Sequence, residues 1–520
     1  MLSKKVLWVD DEVDQLRSHI KFLEKRGYNV LVALTALDAI EMIKTSPPDI
    51  ILLDEMMPGM DGLSAIEEIR KINKHIPIVM VTKSEEENIM EEAIGQQITD
   101  YIVKPVNPIQ ILTVLKKILE AEEIVGQRLT RNYAHEYREI YDRLSPNAAP
   151  TEWLEIGKWL AEWDVILDER PDLELTDAHR TFRREVNAEF SQYIVKNYPN
   201  WIWQDPPKRP TMSVDIFEKY VAPHLRYGNR VMYVVIDCMR YDQWLMVEPL
   251  LAEHFNVKTD LYFSILPSAT PYARNALFSG LFPYDLQRAY PKIWEHGQTD
   301  PGSHNRYEHE LMDHLLDRLG IELRGDTKYI KILDPEEGES LLRRISSYTS
   351  APLSAVVVNF LDILAHSRAA SNLLKEISPD ESGYRAVMKT WFAQSSLFEA
   401  LKRAKEKDDM VIVVTTDHGS TIGKRGAKTY GKKDTSTNLR YKVGDNLNVD
   451  KRGAILIKDP KKWRLPIFGV TTNYIIAFED YYLVYPTNFS EYERQYRNSF
   501  LHGGISVEEM IIPVATLTPK

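Results

Sequence analysis

Residues 50–62 read Ile-Ile-Leu-Leu-Asp-Glu-Met-Met-Pro-Gly-Met-Asp-Gly. Four apolar residues close on Asp54, and Pro58-Gly59 and Asp61-Gly62 follow. This describes a short buried strand that ends in a carboxylate and a turn. The shape recurs on both sides. Val6–Val9 runs into Asp10 and Asp11, Ile78–Val81 into Thr82, and Tyr101–Val103 into Lys104, with a weaker run at Asn29–Ala33. Helical spacing fills the intervals at Asp14–Arg26, Ala36–Thr45, Gly62–Asn73, Glu85–Ile94 and Ile109–Leu119. Five strands, each followed by a helix, predict a doubly wound parallel sheet.

Such sheets bind ligands at the carboxyl ends of their strands. Asp10, Asp11, Asp54, Thr82 and Lys104 therefore converge on one rim. One acid there would be an ordinary solvated strand end. Five groups in this order make a site. Crowded carboxylates repel one another unless a hard cation lies among them, and Mg²⁺ suits an all-oxygen set. Asp54 could then attack a phosphoryl group, with Lys104 on its oxygens and Thr82 bonded to the acyl phosphate.

Val9-Asp10-Asp11-Glu12, Leu53–Gly62, Val81-Thr82 and Tyr101-Ile102-Val103-Lys104-Pro105 resemble the response-regulator receiver domains of two-component systems over residues 4–120. The resemblance implies that Asp54 is the phosphoacceptor. Asp11, Asp54 and the carbonyl of Met56 would hold Mg²⁺, with Asp10 acting through water. Thr82 and Tyr101 would be the switch pair, and a strained peptide bond would lie beside Lys104-Pro105. Phosphorylation would shift a pre-existing equilibrium toward a homodimer.

The whole chain has 520 residues, 44% apolar and 27% charged, enough for several cores and too apolar for wholesale disorder. Its formal charge of −11 argues against a generic nucleic-acid coat, though not against a local basic patch. The single cysteine, Cys238, excludes intrachain disulfides and cysteine-rich metal sites. No apolar run approaches membrane-spanning length, and no signal region opens the chain, so a cytoplasmic protein is expected. The expected class is α/β multidomain: a doubly wound receiver at 1–122, a helical middle domain at 123–210, and an α/β domain at 211–520.

Helical periodicity dominates the middle, as at Trp153–Trp163 and Thr181–Lys196, with breaks expected at Pro146, Pro150, Pro171 and Pro199. Trp153, Trp159, Trp163, Trp201 and Trp203 read as core packing. A base-stacking surface would need basic residues between them, and Glu155, Glu162 and Asp164 stand there instead. Asp205–Pro210 reads as a loop.

Strand patterns resume at Val231–Ile236, Asp260–Phe263, Ala355–Asn359, Met410–Thr415, Ala454–Ile457 and Gly469–Thr471. Polar groups again follow strand ends. Asp237, Asp362, His366, Asp417, His418 and His502 are six oxygen and nitrogen donors, enough for two zinc ions at three each. The same donors would accept manganese. Asp362 and His366, four apart, share a helix face. Thr270 precedes Pro271 at the start of a helix expected over Tyr272–Phe278. It is an ordinary N-cap or, beside zinc, a nucleophile that forms a phosphothreonine.

Val234–Arg240, Pro267-Ser268-Ala269-Thr270, Asp362–His366, Thr416–Ser420 and His502-Gly503-Gly504 resemble the alkaline phosphatase superfamily, specifically its PglZ branch, over roughly residues 210–518. The resemblance implies that Asp237, Asp417 and His418 hold the zinc beside Thr270, and that Asp362, His366 and His502 hold the other. Superfamily members act on phosphate, sulfate or phosphonate esters, so the motif fixes the chemistry and not the substrate. The three-part order resembles the response regulators of the type IX secretion system. That implies control of secretion and gliding motility, a sensor histidine kinase, and contacts with a sigma factor or the secretion machinery. No helix-turn-helix signal follows the receiver, which argues against direct DNA binding.

Between Asp417 and His502 lies a polar insertion with Lys424, Arg425, Lys428, Lys432, Lys433, Arg440 and Lys442. It is a solvated loop or a flap over an anionic substrate. Tyr430 and Tyr441 could stack on a base, and Asn275, His304, Arg306 and His309 could contact phosphate. The expected activity is a two-zinc phosphodiesterase acting on a nucleotide or short oligonucleotide. The alternative is a signalling adaptor whose zinc domain is structural or ligand-sensing.

Overall fold

The computed structural model describes residues 3–83, 98–294, 305–368, 371–407, 409–431 and 438–520. The helix expected at Glu85–Ile94, and His304, Lys432 and Lys433, lie outside the described residues. The chain forms two compact units, residues 1–135 and 136–520.

The first unit holds five strands: β1 (Lys5–Val9), β2 (Asn29–Ala33), β3 (Ile50–Asp54), β4 (Ile78–Thr82) and β5 (Asp100–Val103). Their order is β2-β1-β3-β4-β5, and every pairing is parallel. The apolar runs are buried because both faces of the sheet are covered. Leu7, Val9, Ile51 and Leu53 enter one core, while Val6, Trp8, Ile50 and Leu52 enter the other. The order reverses between β1 and β3, and Asp10 and Asp54 stand at the ends of those two strands. Asp61 caps helix Gly62–Ile72 by accepting from the amide of Ser64. A Cβ at Gly62 would meet the carbonyl of Asp54 at 2.5 Å, so only glycine lets this helix start against the site. Helix Pro108–Leu115 passes through a wider π turn, Lys116–Glu120, into helix Ala121–Arg143.

The second unit is built on six strands. They are β6 (Arg230–Ile236), β7 (Phe255–Phe263), β8 (Lys328–Ile332), β9 (Leu353–Val358), β10 (Met410–Thr415) and the C-terminal strand Ile511–Pro519. From edge to edge they run β7, C-terminal strand, β10, β6, β9, β8. All but the C-terminal strand point the same way. The sequence pattern missed β8 and the C-terminal strand, which is interrupted by Pro513. It also placed Ala454–Ile457 in this sheet. That segment instead pairs with Thr472–Ala477 in a separate small sheet, and 469–471 precede that strand.

Helices Pro150–Glu169 and Thr176–Trp201 belong to this second unit. Gly157 lies so close to the C-terminal strand that a Cβ would meet Ile511 at 2.9 Å. Trp153, Trp159, Trp163 and Trp201 are buried, as core packing requires. Trp153 lies 5.1 Å from the rings of Phe190 and Tyr193, and the indoles of Trp159 and Trp163 both donate to Glu136. Trp203 is the exception, half exposed beneath the guanidinium of Arg464. Pro199 does not break its helix. It is buried in the last turn, where packing offsets the lost hydrogen bond.

A buried ion cluster also ties these helices to helices Tyr241–Ala252 and Glu381–Gln394. Arg183 bonds Asp164 and Glu381, Arg240 bonds Asp242 and Glu381, and Arg385 bonds Asp242 and Asp168.

Candidate metal centres and nucleophiles

In the first unit, Lys104 Nζ donates to Asp54 Oδ2 at 2.8 Å and to Asp10 Oδ2 at 3.0 Å. Asp10, Asp11 and Asp54 can bring one oxygen each within 4.8 Å of the others, a set that suits a hard cation. Burial raises the Asp54 carboxyl above its ordinary range, although Lys104 pulls it down. Burial also opposes the Lys104 charge, but its bonds to Asp54 and Asp10 prevail and raise it. Thr82 donates to Glu55, a partner that the sequence did not suggest. Tyr101 and Met56 are exposed at 40% and 67%. The Lys104-Pro105 peptide is cis.

In the second unit, the strand ends deliver two donor clusters side by side. Asp237 follows β6, and Asp417 and His418 follow β10. Asp362 and His366 lie one turn apart on helix Phe360–Arg368. His502 precedes Gly503, whose φ is 117°. His366 Nε2, His502 Nε2 and Asp362 Oδ1 are 3.1, 3.2 and 3.3 Å apart. A tetrahedral ion with bonds near 2.0 Å spaces its ligands by about 3.3 Å. In the neighbouring cluster, His418 Nε2 lies 3.6 Å from Asp237 Oδ1 and 3.6 Å from Asp417 Oδ2. The rings of His418 and His502 stack at 4.3 Å, so the clusters adjoin.

The hydrogen bonds aim these donors. Asp417 Oδ1 accepts from the amides of Cys238 and His418, while Oδ2 is buried with no hydrogen-bond partner among the described residues. Asp237 Oδ2 accepts from Arg274 at 2.5 Å and Asn359 at 2.7 Å, turning Oδ1 toward His418. His418 Nδ1 faces the Gly419 carbonyl at 3.0 Å, which leaves Nε2 for the cluster. A Cβ at Gly419 would strike the carbonyl of Glu508 at 1.9 Å, so the turn after His418 demands glycine. Burial, then the Asp417 charge, pushes Asp237 up to about 7 against the pull of Arg274. Burial lowers His418, keeping the imidazole neutral. Carboxylates with unpartnered oxygens, beside imidazole nitrogens at near-tetrahedral spacing, fit zinc.

Thr270 does not cap its helix. Ala269 is the N-cap, and helix Thr270–Ser279 begins on the threonine itself. Its hydroxyl is 3.1 Å from His418 Nε2 and 3.3 Å from Asp237 Oδ1. It opens on a cavity of about 600 Å³, lined also by Arg274, Asn305, Lys331, Asn359, Asp362 and His502.

The expected substrate contacts are placed elsewhere. Asn275 is fully buried and donates to the Pro271 carbonyl. Lys424 lines a different pocket, Lys428 lies over the Phe489 ring, and neither it nor Arg306 lines this cavity. His309 bonds Thr327. Arg440 is fully buried, bonded to Glu509 and to the carbonyls of Phe478, Glu479 and Tyr481. The described part of the insertion is folded into small sheets, and among its described residues only 438, 439, 441, 496 and 501 line the cavity. Tyr441 packs edge-on against Tyr272, and Tyr430 is half exposed.

Arg440 instead supports the turn that carries His502. Gly504 lies against its guanidinium, and Glu509 binds both that group and the Gly504 amide. Removing one partner of a buried pair leaves an uncompensated charge. Arg440→Ala should cost about 3–5 kcal/mol, read as a lower midpoint in urea unfolding. An unchanged midpoint would show that the pair contributes nothing.

Fold and donors together define a receiver domain joined to an output domain of the alkaline phosphatase superfamily. Residues 6–116 match the response regulator receiver domain, 123–202 the PorX response regulator linker domain, and 216–517 the BREX system PglZ alkaline phosphatase-like domain. The chain belongs to the PglZ family, in the receiver, linker and PglZ order of the PorX response regulators.

The chain is 34% identical over 127 residues to the alkaline phosphatase synthesis transcriptional regulatory protein PhoP of Bacillus subtilis. That match takes in 24% of this chain and spans about half, 52%, of that relative's length. Among solved structures, chemotaxis protein CheY4 of Vibrio cholerae is 29% identical, over 22% of this chain and 99% of that one, at a TM-score of 0.22. A receiver domain protein from Methanospirillum hungatei is 30% identical, over 23% and 97%, also at 0.22. A receiver implies a cognate kinase-type partner by family. Among the described residues, no helix is long and apolar enough to cross a membrane.

Proposed function

We propose that this chain is a response regulator whose phosphorylation at Asp54 controls a two-zinc phosphodiesterase acting on a nucleotide or short oligonucleotide. The observation that carries this reading is the Thr270 hydroxyl, 3.1 Å from His418 and 3.3 Å from Asp237, beside a second donor cluster on one cavity. Asp237, Asp417 and His418 would hold one zinc, and Asp362, His366 and His502 the other. When bound, the ions supply positive charge that eases ionisation of a hydroxyl or water and stabilises a leaving oxygen.

Thr270 Oγ1 attacks phosphorus in line as its proton passes to solvent. An ester P–O bond breaks, and the leaving oxygen takes up a proton. Water then cleaves the Thr270–phosphate ester and restores the hydroxyl. Arg274 and Asn359 hold Asp237 in place throughout, each through the oxygen turned away from Thr270.

In the receiver, Asp10, Asp11, Asp54 and the Met56 carbonyl would hold Mg²⁺, and Thr82, Tyr101 and Lys104 would read the acyl phosphate. We assign the regulator to a sensor histidine kinase, to type IX secretion in the cytoplasm, and to a phosphorylation-promoted homodimer. A sigma factor or secretion component is its downstream contact.

The zinc-loaded protein should hydrolyse bis-p-nitrophenyl phosphate in preference to p-nitrophenyl phosphate. Chelation should abolish turnover, and zinc should restore it. If the loaded protein turns over neither ester, the enzyme reading fails and the adaptor reading takes its place.

A further inference from the structure

Glu308 begins helix Glu308–Arg318 and is fully buried. Four donors converge on its carboxylate: Arg274 Nε at 2.5 Å, Asn305 Nδ2 at 2.9 Å, Lys331 Nζ at 3.1 Å, and the Tyr329 hydroxyl. One negative charge thus faces two cations. Arg274 is balanced further by Asp237 and is only 2% exposed, so it is a support for the donor cluster.

Lys331 is not balanced in this way. Its other partner is the neutral backbone carbonyl of Asn305 at 3.0 Å. An ammonium has three donors, and these two contacts use two of them. Its side chain is 24% exposed. Among the described residues that line the cavity, it is the one lysine or arginine open to solvent.

Position narrows what Lys331 can touch. Asn305 stands between it and the nucleophile, since the Asn305 amide donates to the Thr270 carbonyl at 3.3 Å. Lys331 is thus one residue's width from Thr270. That offset suits a group beside the scissile phosphate better than the scissile phosphate itself. The cavity has room for such a group, because about 600 Å³ far exceeds one phosphate. Leu333, Leu439, Tyr496 and Leu501 give it apolar walls for a sugar or base.

We infer that Lys331 is a specificity-determining residue that binds a second phosphate of the substrate, next to the one cleaved, with Glu308 positioning its ammonium. This rests on the phosphodiesterase reading and narrows its substrates to nucleotides that carry more than one phosphate.

The test uses the full zinc-loaded chain. Calorimetry should show thymidine 3′,5′-bisphosphate binding about tenfold tighter than thymidine 5′-monophosphate, the scale of one charge-assisted hydrogen bond. Lys331→Gln should bring that ratio near one, and Lys331→Arg should restore part of it. The kcat/KM ratio for p-nitrophenyl thymidine 5′-phosphate with and without a 3′-phosphate should change in parallel. A ratio that Lys331→Gln leaves intact, or a wild-type protein with no preference, overturns the inference. A binding preference lost in Lys331→Gln, in a protein that turns over neither ester, upholds Lys331 and overturns the phosphodiesterase instead. Lys331→Gln that lowers thermal stability while keeping the ratio shows a merely structural ion pair and also overturns it.

Discussion

Thr270→Ala should reduce bis-p-nitrophenyl phosphate hydrolysis by about a thousandfold or more, the scale on which removing a covalent nucleophile is felt. The substitution deletes the hydroxyl that faces His418 and Asp237. It leaves the donors intact, because Asp237, Asp417 and His418 are aimed by Arg274, Asn359, Cys238 and Gly419. Alanine suits the first turn of a helix, so folding should persist. Two zinc ions per chain should still be found by elemental analysis. Thr270→Ser should retain turnover, since it keeps the oxygen. Full activity in the alanine variant would show that water attacks directly and that the threonine only shapes the cavity.

Asp54→Ala should abolish labelling by a small phosphodonor such as acetyl phosphate. Asp54 ends β3 and shares the Lys104 ammonium with Asp10. In the variant Lys104 keeps Asp10 at 3.0 Å, so its charge is not stranded. Burial already works against the Asp54 carboxylate. Its loss should therefore cost little stability, and a missing label will report chemistry and not unfolding. Mass spectrometry of the treated protein decides the matter. A phosphoryl group that remains in the variant would place the acceptor elsewhere, with adjacent Glu55 the first acid to examine.

The receiver was legible almost residue by residue because its groups sit immediately after apolar runs. Strand period and strand end are both local properties of sequence. The same held for Asp237, Asp417 and His418. It failed for the polar groups packed around them. Arg274, Asn305, Glu308, Lys331 and Asn359 come from separate elements and meet only when the sheet closes. A signal for Lys331 did exist. Tyr329–Ile332 alternates polar and apolar, and Ile330 and Ile332 are buried in the core, as a half-buried strand requires. Arg440 shows the opposite limit. Sequence cannot tell a flap cation from one enclosed by Gly504 and Glu509, because the enclosure comes from 64 and 69 positions away.

The cluster of Arg183, Arg240 and Arg385 sets what can be recombined. A splice at residue 211 would part Arg183, Asp164 and Asp168 from Glu381, Arg240 and Arg385. Arg183 would lose Glu381 and keep only Asp164, and Arg385 would lose Asp168 and keep only Asp242, so each buried arginine would be left with half of its paired acids. A splice near residue 136 carries the whole cluster with the output domain. A different receiver can therefore be grafted upstream of this chain's helical segment, whereas a different helical segment must bring matching acids and arginine with it.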